Sequence, residues 1–202
     1  MNRGARAWVA VSAALGTAAL AGWFAPREAI DWQPALAARE PWRALSAVGV
    51  HYGASHLGGN LAGVALAGLF GVVARVTPPV AWAWLAAWPL TQLGLLARPE
   101  LAHYGGLSGV LHAGVAAVAT FMILTGTRAQ RAVAAAVFAG LVLTLWGEAP
   151  WAATLRLDPA RGFAVAPLAH ATGALAGIVC SVAALALFTR QRPRRSLPDP
   201  DA

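Results

Sequence analysis

The chain has 202 residues, of which 58% are apolar and 11% charged, whereas soluble domains average about 45–50% apolar and about 25% charged residues. This composition excludes an ordinary water-soluble domain. All fifteen basic residues are arginines, against eight acids, and they lie in short gaps between apolar runs, which argues against a nucleic-acid-binding surface. The single cysteine, Cys180, lies within an apolar run, which excludes a disulfide framework or a CxxC metal site.

Six apolar stretches follow one another along the chain, each near the ~20 residues that cross a bilayer. They cover residues 8–24, 54–74, 79–97, 105–126, 131–147 and 166–188. The pattern predicts an all-α polytopic membrane protein, with one six-span domain over 1–190 and a disordered cytoplasmic tail over 191–202. The loop over 25–53 carries Trp32, Trp42 and Tyr52, which suit the headgroup region, and is expected to form short interfacial helices.

The arginines predict the orientation of these spans. An even number of spans puts both termini on one side, and nine of the fifteen arginines lie there, with two of the eight acids. Because Lys and Arg concentrate on the cytoplasmic side, we predict that both termini are cytoplasmic. The second, fourth and sixth spans then run from outside to inside.

Three polar clusters lie at the beginnings of these three spans, at one depth near the outer surface. They are His56 with Asn60, Ser108 with His112, and His170. Each residue alone has an ordinary structural explanation, as a hydroxyl bonded to a carbonyl or as a polar contact between helices. Together they offer the groups that acyl transfer needs: a nucleophile, a base and oxyanion donors. No carboxylate is expected in this layer, so the sequence predicts a Ser-His dyad rather than a Ser-His-Asp triad.

A resemblance to the rhomboid family of intramembrane serine proteases is carried by five segments in the family's usual order. They are Trp42-Arg43, His51, His56-x-x-x-Asn60, Gly106-x-Ser108-Gly109 and Ala169-His170-x-x-Gly173-x-x-x-Gly177. Within that family, the small size and the run Gly106-Leu107-Ser108-Gly109-Val110-Leu111-His112 look most like the rhombosortase subgroup. That bacterial subgroup is linked to proteins with a C-terminal Gly-Gly sorting tail.

The resemblance implies a six-helix rhomboid-like bundle and a role for each of these residues. Ser108 would be the nucleophile and His170 the base, while His56 and Asn60 would join the Ser108 backbone N–H in binding the oxyanion. His112 would face the substrate or support the site, although its place one turn after Ser108 leaves open a role as base. Gly106 and Gly109 would let a partner backbone approach Ser108. The resemblance makes the remaining motif residues structural: Trp42, Arg43, His51, Gly173 and Gly177.

The same resemblance implies the substrate and the place of the reaction. The substrate would be a membrane-anchored protein with a C-terminal transmembrane tail, cut near the outer face of the bacterial inner membrane after passing the fifth span and the loop over 148–166. No metal, organic cofactor or nucleic acid is implied. Two alternatives remain: a general rhomboid protease for single-span substrates, and a rhomboid-like membrane protein that binds clients without cutting them.

Overall fold

The computed structural model describes residues 1–158 and 162–190, which are mostly helical. The α-helices, in chain order, are α1 (Arg3–Gly22), α2 (Arg27–Ile30), α3 (Arg43–Ser46), α4 (Ala54–Val73), α5 (Pro78–Leu93), α6 (Ser108–Thr125), α7 (Arg128–Glu148) and α8 (Pro167–Arg190). An antiparallel hairpin joins α7 to α8, with β1 (Arg156–Asp158) paired to β2 (Phe163–Val165) so that Leu157 lies opposite Ala164.

Six of these helices are long and apolar enough to cross a membrane: α1, α4, α5 with the 3₁₀ turn that extends it to Ala97, α6, α7 and α8. This confirms the prediction of an all-α polytopic bundle, with span boundaries close to the predicted ones. The chain is therefore a multi-pass membrane protein. The tail predicted over 191–202 lies outside the described residues.

Local sequence signals place the helix starts that matter for the site. Pro78 and Pro167 occupy first-turn positions of α5 and α8, where the missing N–H of proline has no helical acceptor to lose. A capping box begins α7, since the Thr127 side chain accepts from the Gln130 N–H while the Gln130 side chain accepts from the Thr127 N–H. As predicted, α4, α6 and α8 all begin at the same end of the bundle, where His56, Ser108 and His170 line one cavity.

The bundle has α6 at its centre and α7 at its edge. About 61% of the α6 span is buried, against 6% of the α7 span. The α6 helix packs most closely against α8, because glycines remove the side chains at their contact. A Cβ on Gly173 would meet the Gly109 carbonyl, and a Cβ on Gly177 would meet the Ala113 carbonyl. Gly173 and Gly177 therefore let the sixth span approach the fourth.

The long loop between α1 and α4 consists of α2, α3 and two 3₁₀ turns, so the predicted short helices are present. A buried Arg43 organises this loop, because its guanidinium contacts Asp31 at 3.0 Å, the Glu40 carboxylate at 2.5 Å and the Glu28 carbonyl at 2.9 Å. Trp32 then forms an antiparallel bridge with Tyr104, just before α6. The loop is thereby tied to the segment that leads into Ser108.

Candidate active site

The side chains of Ser108 and His170 meet at the ends of two closely packed helices. Ser108 is the first residue of α6, and His170 lies in the first turn of α8. The distance between Ser108 Oγ and His170 Nε2 is 2.8 Å, a normal hydrogen bond. His170 is only 4% exposed. The proximity that the motif spacing predicts for these two residues is therefore present, and it is the pairing that a nucleophile and its base require.

A third residue, Glu148, completes a chain of hydrogen bonds that the sequence did not predict. Its Oε2 lies 2.6 Å from His170 Nδ1. The expectation that no carboxylate lies in this layer, leaving only a dyad, is wrong. The reason is the direction of the fifth span: α7 runs opposite to α6 and α8, so its last residue, Glu148, reaches the level at which they begin. Its position after the fifth apolar run assigns Glu148 to an outer loop. The direction of that span was the signal that could have located it at the level of His170.

His112 lies one turn after Ser108 and packs on the base rather than on the nucleophile. Its ring stacks on the His170 ring, with centroids 4.2 Å apart and planes 12° apart. Its Nδ1 is 2.8 Å from the Ser108 backbone carbonyl, so this nitrogen donates its proton to an oxygen that can only accept. The arrangement fits a supporting role better than the alternative role as base.

His56 lies in the first turn of α4 and lines the same cavity as Ser108. The Tyr52 N–H donates to His56 Nδ1 at 3.4 Å, which fixes the proton of a neutral ring on Nε2. That Nε2 edge faces Gly106, since a Cβ placed there would lie 3.2 Å from His56 Nε2. Phe163 of β2 stacks on the ring at 4.3 Å. His56 therefore presents a donor beside the segment that carries Ser108.

Asn60 follows one turn after His56 and is 5% exposed. Among the described residues, its Nδ2 has no hydrogen-bond partner. A buried donor without a partner is uncommon and costs free energy. Asn60 does not line the cavity that contains Ser108, and its role as an oxyanion donor stays a prediction.

The backbone at the start of α6 also offers donors. Gly106 has a φ of +141°, a conformation that L side chains rarely adopt. Leu107, the residue before the helix, makes no side-chain capping bond, so the first N–H groups of α6 have no acceptor within the helix. These N–H groups and the positive end of the helix dipole favour a negative charge next to Ser108.

The remaining motif residues support the site from the loop. His51 is 1% exposed, and its ring meets the His56 ring edge-on, with centroids 4.9 Å apart. Burial lowers the pKa of His51, which keeps the imidazole neutral at physiological pH. Arg43 is buried among its acidic partners, whereas Trp42 is 53% exposed.

No motif in the sequence assigns a role to His103 or Tyr104, yet both line the cavity that contains Ser108. His103 Nδ1 pairs with Asp31 Oδ2 at 2.6 Å, and burial raises the pKa of Tyr104, so its phenol stays neutral. Because Asp31 and His103 are 72 residues apart, no local motif could reveal the contact.

Two cavities of similar size meet this site. The first, about 370 Å³, contains Ser108, His56 and His170 and is bordered by Tyr52, Tyr104 and the residues of β2. The second, about 360 Å³, is an apolar groove among α4, α6 and α7 whose walls include Leu66, Leu111, Leu141 and His112. His112 thus lies on the groove while its ring stacks on His170. Within the described residues, no group of three His, Cys, Asp or Glu side chains is arranged to hold a metal ion.

Comparisons of the chain with protein-family models, curated proteins and solved structures gave no match. The chemistry of this site is therefore inferred from its own residues and their geometry.

Proposed function

We propose that this chain is an intramembrane serine protease with a rhomboid-like arrangement of six spans, in which Ser108 is the nucleophile and His170 the general base. The observation that carries the proposal is the 2.8 Å contact between Ser108 Oγ and His170 Nε2, inside a cavity at one end of the bundle. A serine that merely satisfies its hydroxyl within its helix bonds a backbone carbonyl, as Thr91 and Thr120 do here.

The reaction follows from the order of these contacts. Ser108 Oγ attacks the carbonyl carbon of the substrate while His170 Nε2 takes the hydroxyl proton. Collapse of the tetrahedral intermediate breaks the C–N bond, and His170 returns the proton to the leaving amine. Water then attacks the ester carbonyl of acylated Ser108 and passes a proton to the same nitrogen. Breakage of the bond between the acyl carbon and Ser108 Oγ releases the acid, and His170 returns the proton to Ser108 Oγ.

The oxyanion of the intermediate is stabilised by donors from two helices. The donors proposed for this role are the Nε2–H of His56, which lines the cavity with Ser108, the first N–H groups of α6, and the Asn60 amide, one turn after His56 on α4. Donors fixed in advance around a developing charge contribute most in a site from which water is excluded. Asn60 supports this role because its amide donor has no partner among the described residues.

The substrate enters from the lipid through the groove among α4, α6 and α7. The groove is lined almost wholly by apolar side chains. Among the described residues of α7, only Ala134 is buried. A helix with so few buried contacts can separate from its neighbours at low cost. A substrate span lying in the groove would contact His112, next to the reacting pair.

The substrate class that fits this site is a surface or secreted protein with a C-terminal Gly-Gly tail and one transmembrane segment, as in rhombosortases. Both termini of the enzyme are then cytoplasmic, the membrane is the bacterial inner membrane, and the cut lies near its outer face. A peptide bond within a helix is protected by its hydrogen bonds, but two glycines weaken the helix by roughly 1 kcal/mol each relative to alanine. The cavity of about 370 Å³ is near the lower end of the range for ligand sites, about 300–1,000 Å³, which suits small residues.

Covalent labelling by a fluorophosphonate in detergent tests the proposal. The wild type should be labelled, and Ser108→Ala and His170→Ala should not. Ser181→Ala is the matched control, because its hydroxyl donates to the Ala117 carbonyl within the membrane and it should label normally. A folded wild type that remains unlabelled would indicate the alternative, a membrane protein that binds clients without cutting them.

A further inference from the structure

The His170 ring is held from two directions by groups that belong to different helices. Its Nε2 contacts Ser108 Oγ at 2.8 Å, and its Nδ1 contacts Glu148 Oε2 at 2.6 Å. Ser108 begins α6, Glu148 ends α7, and His170 lies in the first turn of α8. Three helix ends therefore converge on one line of hydrogen bonds.

The carboxylate determines which nitrogen of His170 carries the proton. An ionised carboxylate only accepts hydrogen bonds, so the nitrogen facing it must be the donor. With the proton on Nδ1, the lone pair of Nε2 faces Ser108. That tautomer alone can accept the Ser108 proton, and the imidazolium formed in the reaction has a negative charge beside it.

The position of Glu148 is itself fixed by two arginines. Arg156 of β1 donates to the Gly147 carbonyl at 2.6 Å, and Arg98 donates to the carbonyls of Pro150 and Trp151 at 3.1 and 3.0 Å. These bonds hold the chain on both sides of Glu148, and two cations at the end of α7 are favourable to its helix dipole. A group that orients a catalytic side chain needs such support.

We propose that Glu148 is a positioning residue that holds His170 in the tautomer and orientation that accept the Ser108 proton. The proposal rests on the proposed serine protease and extends it from a dyad to a chain of three residues. It also links α7, which forms one wall of the proposed substrate groove, to the Ser108–His170 pair. A movement of the end of α7 away from α8 would break the contact between Glu148 and His170.

Three substitutions at Glu148 distinguish a role in orienting His170 from a general role in folding. Glu148→Gln keeps the shape but offers an amide N–H that favours the wrong tautomer, Glu148→Ala removes the partner, and Glu148→Asp keeps the charge on a shorter stem. Loss of the corresponding carboxylate in unrelated serine proteases lowers kcat by about 10⁴-fold. We expect Glu148→Gln and Glu148→Ala to lower kcat by about 10²–10⁴-fold with KM nearly unchanged, and Glu148→Asp to retain more activity than either.

The measurements are kcat and KM for a single-span substrate, the rate of fluorophosphonate labelling, and the thermal midpoint in the same detergent. Glu28→Gln is the control for loss of an acid, because Glu28 is exposed in α2 on the loop that also supplies Asp31. It should behave as the wild type in all three measurements.

The outcomes distinguish the two proposals. If the wild type is labelled and Glu148→Gln is labelled and turns over equally fast, the role of Glu148 is refuted while the protease stands. Equal losses of kcat in Glu148→Gln and Glu148→Asp, in proportion to a lower thermal midpoint, would also refute the role of Glu148. Asp keeps the carboxylate that orientation of His170 requires. A folded wild type that is neither labelled nor active refutes both.

Discussion

Gly109→Ala should lower the activity of the proposed protease by moving His170 away from Ser108. A Cβ at Gly109 would lie 2.7 Å from the Ala169 carbonyl oxygen and 2.9 Å from Thr91 Cγ2. Ordinary contact begins at 3.4 Å, so relief from 2.7 Å requires the carbonyl to move by about 0.7 Å. Ala169 precedes His170, and the same shift would stretch the Ser108–His170 contact from 2.8 Å to about 3.5 Å, where a hydrogen bond is effectively lost.

A misplacement of about 1 Å in a reacting pair can lower the rate by about 10²-fold, and we expect a loss of kcat of that order. The free energy of unfolding should fall by less than the cost of overpacking alone. Overpacking costs about 1–3 kcal/mol, and replacing glycine in a helix recovers up to about 1 kcal/mol. The assay is turnover of a single-span substrate in detergent, with the thermal midpoint measured on the same samples.

Gly140→Ala is the matched control, because nothing lies within 4 Å of a Cβ at that position of α7. It should keep its activity and gain slightly in stability. Wild-type turnover by Gly109→Ala would refute the argument that glycine contact between α6 and α8 sets the geometry of the pair.

Three further substitutions test the remaining parts of the site. Asn60→Ala should lower kcat by about one to three decades with substrate capture nearly unchanged, since its amide would act in the transition state; a pure rise in KM would make it a docking residue. His112→Ala should still be labelled by a fluorophosphonate, more slowly by about 2–10-fold, because ring stacking is worth about 0.5–1.5 kcal/mol; complete loss of labelling in a folded protein would place His112 in the chemistry. Replacing both glycines of a client's Gly-Gly tail with leucine should slow its cleavage sharply, whereas equal cleavage of a span without glycines would favour a general rhomboid protease.

The parts of the molecule that sequence predicts well are those fixed by local patterns. Span length and apolar composition located all six long helices of the described residues. The alternation of span direction then brought Ser108 and His170 to one depth, because residues at the starts of parallel helices in a bundle share a level. Gly173 and Gly177, which the resemblance implies to be structural, lie at the close contact of α6 with α8.

The features that sequence missed depend on contacts between distant segments. Glu148 was assigned to a loop because it follows the apolar run by one residue, and only packing shows that it bonds His170. The contact of Asp31 with His103 joins segments 72 residues apart. The hairpin of β1 and β2 has strands of three residues, too short for an alternating pattern to be visible.

Cleavage of a substrate by the reconstituted protein is the most direct test of the proposed protease activity. Wild type, Ser108→Ala, His170→Ala and the double variant are placed in liposomes with a single-span substrate bearing a Gly-Gly tail, and the products are measured by mass spectrometry. We expect one cut near the outer end of the span in the wild type. Neither single variant should cut, and the double variant should be hardly worse than either, because the pair acts as a unit. Substrate that is bound but left intact by the wild type, or partial and additive losses in the variants, would contradict the proposal.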